Sequence, residues 1–238
     1  MRKSVDLTLA KFTLIGVLMS IMLSPVLIAP ALAYGQDYHM TGDWNTDINH
    51  SGDTWGVETM LVCWQADLRT TGHVNSYVSV GIKRVPPDYK KNMIEMGWIR
   101  KYGGSWGNIL RGYIVWIKDD VVYEEPRDPI NINDWHNYRI ASSYLGSRYW
   151  FAAFDGRVLR DWFNYFPCDT GWIGAHGENK VDPWPPRNVM YGKFDNLKYC
   201  YNYQWSLWNT IATEEDYPYH AHSPPGCPDQ LEVFGPQY

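Results

Sequence analysis

The chain has 238 residues, of which 45% are hydrophobic, 16% aromatic and 20% charged, and its formal net charge at pH 7 is −5. This mild acidity argues against nucleic acid as a partner, because proteins that bind nucleic acid need a basic surface. The length suits a single β domain as well as two smaller ones, and no internal repeat or low-complexity linker argues for a division.

The first 33 residues are typical of a secretory signal peptide. Basic residues precede an apolar stretch at 12–23, and a triplet of small residues follows at 31–33. An uncleaved membrane anchor is the alternative, although Pro25 and Pro30 interrupt the apolar region before it reaches a full span. We therefore expect a secreted, extracellular protein with no membrane contact after cleavage. Cleavage after residue 33 removes three basic and one acidic side chain, so the net charge of −5 becomes −7.

The rest of the chain is predicted to be all-β. Its many Tyr, Trp, Val and Ile residues favour strands, and no continuous helical periodicity stands out. Clusters of Gly, Pro and Asp separate these strands, a pattern typical of an antiparallel β-sandwich or jelly roll. The predicted strands are 77–82, 92–100, 110–118, 135–142, 148–154, 157–163, 171–175 and 194–199.

Three parts are expected after the signal peptide. Residues 34–54 form a short N-terminal segment, 55–200 form the sandwich, and 201–238 form a tail rich in Pro and aromatic residues that packs on it. Within that tail, 210–216 is at most a short helical turn.

A hairpin is predicted at Asp155-Gly156, because this dipeptide favours a two-residue turn between strands. The strings DWHNYRI and WFAAFDGRVL around it, within residues 134–159, resemble paired strands of concanavalin A-like sandwiches. That resemblance implies an architecture and says little about chemistry.

All four cysteines follow the predicted signal peptide, in a compartment where disulfides persist. Two disulfides are expected. Three pairings are open, and we favour Cys200 with Cys227 because the tail between them is otherwise poorly anchored. No CxxC pair is present, which argues against a zinc site.

Glu95 stands in the middle of the strand-like run NMIEMGW, where a charged side chain carries a desolvation cost. Alternation along a strand places Ile94, Met96 and Trp98 on one face, and Glu95 on the opposite face. Exposure to solvent is the ordinary explanation for such a residue.

A second glutamate, Glu178, follows in the string GWIGAHGENKV, after a strand-like start at Trp172. Three glycines in this string let the backbone bend or approach a ligand closely. We expect Glu178 on a loop after the strand 171–175.

The run around Glu95 resembles the first motif of the neprosin family of glutamic peptidases, N-x-I-E-A-G-W. Asn92, Ile94, Gly97 and Trp98 match together with Glu95, and Met96 replaces a smaller residue. Glycines and a strand that ends at Trp116 follow, as in the family.

The family's second motif resembles W-G-G-E-V, which is stretched here to W-I-G-A-H-G-E and ends at Glu178. Tyr149-Trp150, Gly156 and the run 163–167 precede it in the family's order, and the resemblance is collinear over about 55–194. It implies a β-sandwich with Glu95 and Glu178 as the catalytic pair. In this reading Trp98, Trp116, Trp172 and His176, which lie in or beside the motifs, line the substrate site.

Two glutamates in one cleft would have different pKa values, since the charge of one opposes the ionisation of the other. The ionised carboxylate would take a proton from the attacking water, and the protonated one would stabilise the oxyanion and protonate the leaving amine. The pattern does not assign these two roles. The resemblance thus implies a secreted, acid-active endopeptidase that acts on peptides or proteins without a cofactor.

Two other functions stay open. Sandwich-fold glycosidases also use two carboxylates, although their compact E-x-D-x-x-E strand signature is absent here. A non-catalytic carbohydrate-binding or cell-surface module would use exposed aromatic rings to stack on a polysaccharide. The candidate rings are Trp106, Trp184, Trp205 and Trp208.

No metal site is predicted. His220 and His222 flank Ala221, and His176 precedes Glu178 by two residues, but neither pair has a third convergent ligand in the sequence. GxSxG, HExxH and glycine-rich phosphate loops are also absent from the sequence.

Overall fold

The structure is a computed structural model that describes residues 36–43, 54–69, 72–82, 92–103, 106–143, 148–182 and 187–236. The predicted signal peptide lies outside these ranges, and all described residues belong to one unit, Gly35–Tyr238. Within the described ranges no helix is long and apolar enough to cross a membrane.

Antiparallel strands make up most of the described chain, which confirms the all-β prediction. The strands are β1 Gln36–Asp43, β2 Gly56–Asp67, β3 His73–Ile82, β4 Asn92–Lys101, β5 Leu110–Lys118, β6 Val121–Pro129, β7 Trp135–Ser142, β8 Trp150–Phe154, β9 Arg157–Trp162, β10 Gly171–Asp182, β11 Val189–Tyr201, β12 Gln204–Leu207, β13 Ala212–Glu215, β14 His220–His222 and β15 Leu231–Gly235.

Two sheets form a sandwich. Sheet A has the order β13-β1-β10-β3-β4-β5-β6, and sheet B has the order β14-β15-β11-β2-β7-β8-β9, with β12 paired to β11. The strands that carry the two glutamates, β4 and β10, both belong to sheet A, with β3 between them.

The core lies between the sheets and follows the alternation read from the sequence. Ile94, Met96 and Trp98 of β4 are all buried in it, against apolar side chains of sheet B such as Leu61 and Phe194. Burying side chains of this size contributes about 1.5–3 kcal/mol each. The side chains on the inner face of β4 therefore stabilise the core, and those on its outer face can serve a functional site.

A second apolar cluster lies on the outer face of sheet A. It consists of Tyr77, Ile99, Trp106, Tyr113 and Val115. Trp106 reaches this face from the β4–β5 connection, and the cluster gives the outer face a buried apolar surface beside the glutamates.

The predicted hairpin forms as expected between β8 and β9. Asp155 and Gly156 both have positive φ, 47° and 78°. Two consecutive residues in this conformation make the turn type that matches the twist of paired strands.

The sandwich extends beyond the predicted limits of 55–200 in both directions. β1, from the N-terminal segment, lies between β13 and β10 in sheet A. In the tail, 212–215 form strand β13 rather than a helical turn, and β14 and β15 complete sheet B.

The predicted Cys200–Cys227 disulfide is not formed. Cys63, Cys200 and Cys227 are free thiols, and the Cys168 thiol donates a hydrogen bond to the carbonyl of Thr170. Cys63 of β2 pairs with Gly192 of β11, and Gly192 is eight residues before Cys200 on the same strand. Cys63 and Cys200 are therefore about 26 Å apart along the strands. These two thiols are therefore too far apart to form a disulfide with each other.

Candidate active site

Glu95 and Glu178 lie on the same outer face of sheet A. Glu95 of β4 is opposite Ser79 of β3, and Glu178 of β10 is opposite Asn75 of the same strand. The glutamates are thus two strands and four residues apart, about 10 Å across the strands and about 13 Å along them at the Cα atoms. Across this separation the charge of Glu178 still acts on the Glu95 carboxyl.

Glu178 lies within strand β10 and not on a loop, which corrects the sequence-based expectation. The strand continues through the glycines because neither face of β10 has room for a side chain at these positions. A Cβ on Gly177 would come within 2.9 Å of Val233 on the core side, and a Cβ on Gly174 would come within 2.4 Å of His176 Nε2 on the outer side. Close packing therefore accounts for these glycines without a bend.

The Glu178 carboxylate is buried and surrounded by donors. His73 Nε2 and Asn75 Nδ2 each lie 3.3 Å from its Oε2 atom. Lys180 Nζ lies 3.4 Å and His39 Nδ1 3.7 Å from Oε1. Burial acts to raise the pKa of Glu178, but the hydrogen bond and charge of His73, with Lys180 and His39, outweigh it and lower the pKa to about 2.

Glu95 has the opposite environment. It is partly buried on the outer face, and it has no hydrogen bond or ion pair with any described residue. Burial and, next, the negative charge of Glu178 raise the pKa of Glu95 to about 8. At neutral pH the pair therefore holds one proton, on Glu95, while Glu178 is ionised.

Two buried tyrosines lie on this face of the sheet, Tyr77 on β3 between the strands of the two glutamates and Tyr113 on β5. Tyr77 and Tyr113 have ring centroids 6.4 Å apart, and both have a pKa held well above its ordinary value by burial and then by the negative charge of the glutamates. Asn75 donates hydrogen bonds to both the Tyr113 hydroxyl and Glu178. The tyrosines are consequently neutral, and Asn75 joins one of them to the ionised carboxylate.

His176 and Trp172 lie on the same outer face as Glu178, as alternation along β10 requires. His176 Nε2 is 2.7 Å from Ser79 Oγ, and its ring packs on Tyr77 at 4.9 Å. Burial lowers the pKa of His176 to about 4, so the imidazole is neutral at neutral pH. Two of the four predicted substrate contacts thus share the face of the glutamates, with His176 two residues from Glu178 and Trp172 six residues from it along β10.

The other two predicted contacts, Trp98 and Trp116, face the core and do not line the site. Trp98 is fully buried and Trp116 is 7% exposed, and both belong to the core cluster between the sheets. Trp98 comes three residues after Glu95 and Trp116 lies opposite Ile94, so each falls on the inner face by strand alternation.

The tryptophans proposed as stacking platforms are mostly unsuited to that role. Trp106 and Trp208 are buried, and Arg139 lies over the partly buried ring of Trp205 at 5.2 Å. Trp184 lies outside the described residues.

Four residues around Glu178 were not predicted as site residues. His39 belongs to β1, where no strand was predicted, and His73 and Asn75 belong to the part of β3 that precedes the predicted strand 77–82. Lys180 follows Glu178 by two residues, a spacing that places both side chains on one face of an extended strand.

In the described part of the chain, no group of three or more His, Cys, Asp or Glu side chains could hold a metal ion. An open cavity of about 440 Å³ lies elsewhere, between β13, β14 and the proline-rich segment that follows. It contains neither glutamate, so we place the candidate site on the outer face of sheet A.

Comparisons with known proteins establish the fold. No family model and no curated protein sequence matches the chain. Among solved structures, scytalidoglutamic peptidase with a peptide-based transition state analogue has a TM-score of 0.57 at 7% identity, over 83% of this chain and 97% of that one. SCP-B, an eqolisin-family peptidase in complex with the tripeptide Ala-Ile-His, has a TM-score of 0.54 at 7% identity, over 83% and 96%. A Bacillus licheniformis β-glucanase has a TM-score of 0.42 at 12% identity, over 68% and 78%. The chain thus has a β-sandwich fold similar to that of glutamic peptidases.

Proposed function

We propose that this protein is an endopeptidase of the glutamic type, which hydrolyses peptide bonds with Glu95, Glu178 and a water molecule. One observation carries the proposal: two glutamates on one face of one sheet have pKa values shifted in opposite directions. Pairs of titratable groups with separated pKa values are typical of acid–base sites. The fold similarity to glutamic peptidases adds support.

The protonation states assign the roles. Ionised Glu178 takes a proton from water as the water oxygen bonds to the carbonyl carbon of the substrate. Neutral Glu95 donates a hydrogen bond to the oxyanion and then gives its proton to the nitrogen as the C–N bond breaks. The proton on Glu178 then returns to Glu95 through water, which restores both groups.

The pair keeps its single proton over a wide range of pH. Glu178 loses its charge only as pH falls through about 2, and Glu95 loses its proton only as pH rises through about 8. We therefore expect activity from acid to neutral pH, a broader range than the acid-active enzyme that the sequence resemblance implies.

The experiment compares cleavage of a fluorogenic peptide library between pH 3 and pH 8 by the wild type, Glu95→Gln and Glu178→Gln. Each substitution should lower the rate at least about 100-fold, the scale of a lost acid or base. Glu215→Gln is the matched control, since this exposed glutamate lies at the edge of the same sheet. Wild-type activity that survives in both Glu95→Gln and Glu178→Gln would refute the assignment.

The finer parts of the proposal rest on the sequence. We propose that residues 1–33 direct secretion and are removed. We also propose that the chain is related to the neprosins, because the strand at Glu95 has the pattern N-x-I-E-x-G-W. Expression in a secreting host followed by N-terminal sequencing tests the first point. A mature protein that starts at Tyr34 is expected.

A further inference from the structure

An apolar stripe crosses the outer face of sheet A beside Glu95. Strand pairing places five residues side by side in one row. They are Trp172, Gly81, Met93, Ile117 and Val122. Gly81 adds no side chain, so four apolar side chains span about 19 Å of the sheet surface, at about 4.8 Å per strand.

These four side chains, the apolar stripe, are not part of either hydrophobic cluster. Trp172, Met93 and Ile117 are partly buried, and Val122 is 57% exposed. Contiguous apolar surface of this kind on a folded protein marks a binding site more often than isolated exposed residues do.

The apolar stripe is continuous with the candidate active site. Met93 and Glu95 are two residues apart on β4 and share its outer face, which separates their Cα atoms by about 7 Å. An extended peptide advances about 3.4 Å per residue, so a side chain one or two residues from the scissile bond reaches this distance.

The opposite end of the site has a different character. Beyond Glu178 the outer face carries His39, His73 and Lys180, two of which are about half exposed, at 50% for His39 and 43% for Lys180. The site is therefore basic on the Glu178 side and apolar on the Glu95 side. A peptide bound across both glutamates would meet the two chemistries at defined positions.

We propose that the apolar stripe is a substrate subsite that selects peptides with a bulky apolar side chain close to the scissile bond, on the side of Glu95. This inference rests on the proposed function. Leu, Ile, Met or Phe at that position would bury the part of the stripe around Met93 and Ile117, whereas a charged or small residue would leave that part exposed to water.

The test measures kcat/KM for synthetic peptides that differ only in one residue near the cleaved bond. Replacing Phe by Ala should lower kcat/KM at least about 10-fold, the scale of lost contacts in an apolar pocket. Ile117→Ala and Val122→Ala should lower kcat/KM for the Phe peptide by a larger factor than for the Ala peptide. Val158→Ala is the matched control, because this exposed valine lies on β9 of the other sheet.

Binding separates failure of the subsite from failure of the proposed reaction. Titration calorimetry with Glu178→Gln measures the affinity for the Phe and Ala peptides without turnover. Tighter binding of the Phe peptide that Ile117→Ala abolishes supports the subsite even if no hydrolysis is found. Active enzyme that cleaves Phe and Ala peptides equally, or that is insensitive to Ile117→Ala, overturns it.

Discussion

The raised pKa of Glu95 makes the stability of the fold depend on pH, and Glu95→Gln should remove that dependence. In the folded protein the pKa is about 8, raised from 4.5 by burial and by the charge of Glu178. Between these two values the folded state holds a proton that the unfolded state has released. Stability therefore falls as pH rises from about 4.5 to about 8.

The size of the effect follows from the shift. Each pH unit in this window costs about 1.4 kcal/mol, so the full shift corresponds to at most about 5 kcal/mol. A domain of this kind has a total stability of about 5–15 kcal/mol. Gln keeps the shape of a protonated Glu and cannot ionise, so the variant should become more stable than the wild type at pH 8 and match it near pH 4.5.

The assay is denaturant unfolding at half-unit steps between pH 4 and pH 9, evaluated as the difference between variant and wild type. The difference is needed because Asp43 also titrates in this range: burial, with the charge of Glu214, raises its pKa to about 6. In a Glu178→Gln background the difference should shrink, since one cause of the shift is gone. A difference curve that is flat from pH 4.5 to pH 8 would refute the electrostatic description of the site.

The remaining predictions concern the same face of sheet A. The activity of the wild type plotted against pH should be bell-shaped, with an acid limb near pH 2 and a base limb near pH 8. If the base limb keeps its position in Glu178→Asp and is absent from the residual activity of Glu95→Gln, Glu95 is the acid. His73→Gln removes a charge beside Glu178 and should move the acid limb to higher pH, which pH-dependent kcat/KM measures against the control His220→Gln. Gly177→Ala places a Cβ within 2.9 Å of Val233 and should destabilise the fold by about 1–3 kcal/mol, as thermal unfolding would show; a neutral result would mean that the core yields.

Strand alternation was enough to predict the fold class and the place of Glu95. The run NMIEMGW put Ile94, Met96 and Trp98 in the core and Glu95 on the other face, as the structure does. The same alternation excludes Trp98 from the face of Glu95, whereas the face of Trp116 follows only from its pairing with Ile94.

Other features could not be predicted because they depend on long-range pairing. The environment of Glu178 is assembled from β1, β3 and β10, and its closest basic partner in space, His73, is 105 residues away in the chain. Strand β6 was missed because its sequence, VVYEEPRDP, is polar and mostly exposed at the edge of sheet A. Glycines in β10 were interpreted as loop signals, although packing against Val233 and His176 requires them.

The division between the two faces of sheet A explains how the fold can be shared when the sequence is not. On β4 and β10 every second side chain packs in the core, and the residues between them, which include Glu95, Glu178 and the stripe residues Met93 and Trp172, contribute little to it. Cores accept many combinations of apolar residues of similar volume, so the inner positions can drift while the architecture stays. The outer positions are constrained by the chemistry of the site and not by core packing. They can change independently of the inner positions because a strand directs the two sets of side chains to opposite sides. A TM-score of 0.57 at 7% identity is what this arrangement allows, and it means that the activity of this chain has to be judged from its own outer-face residues.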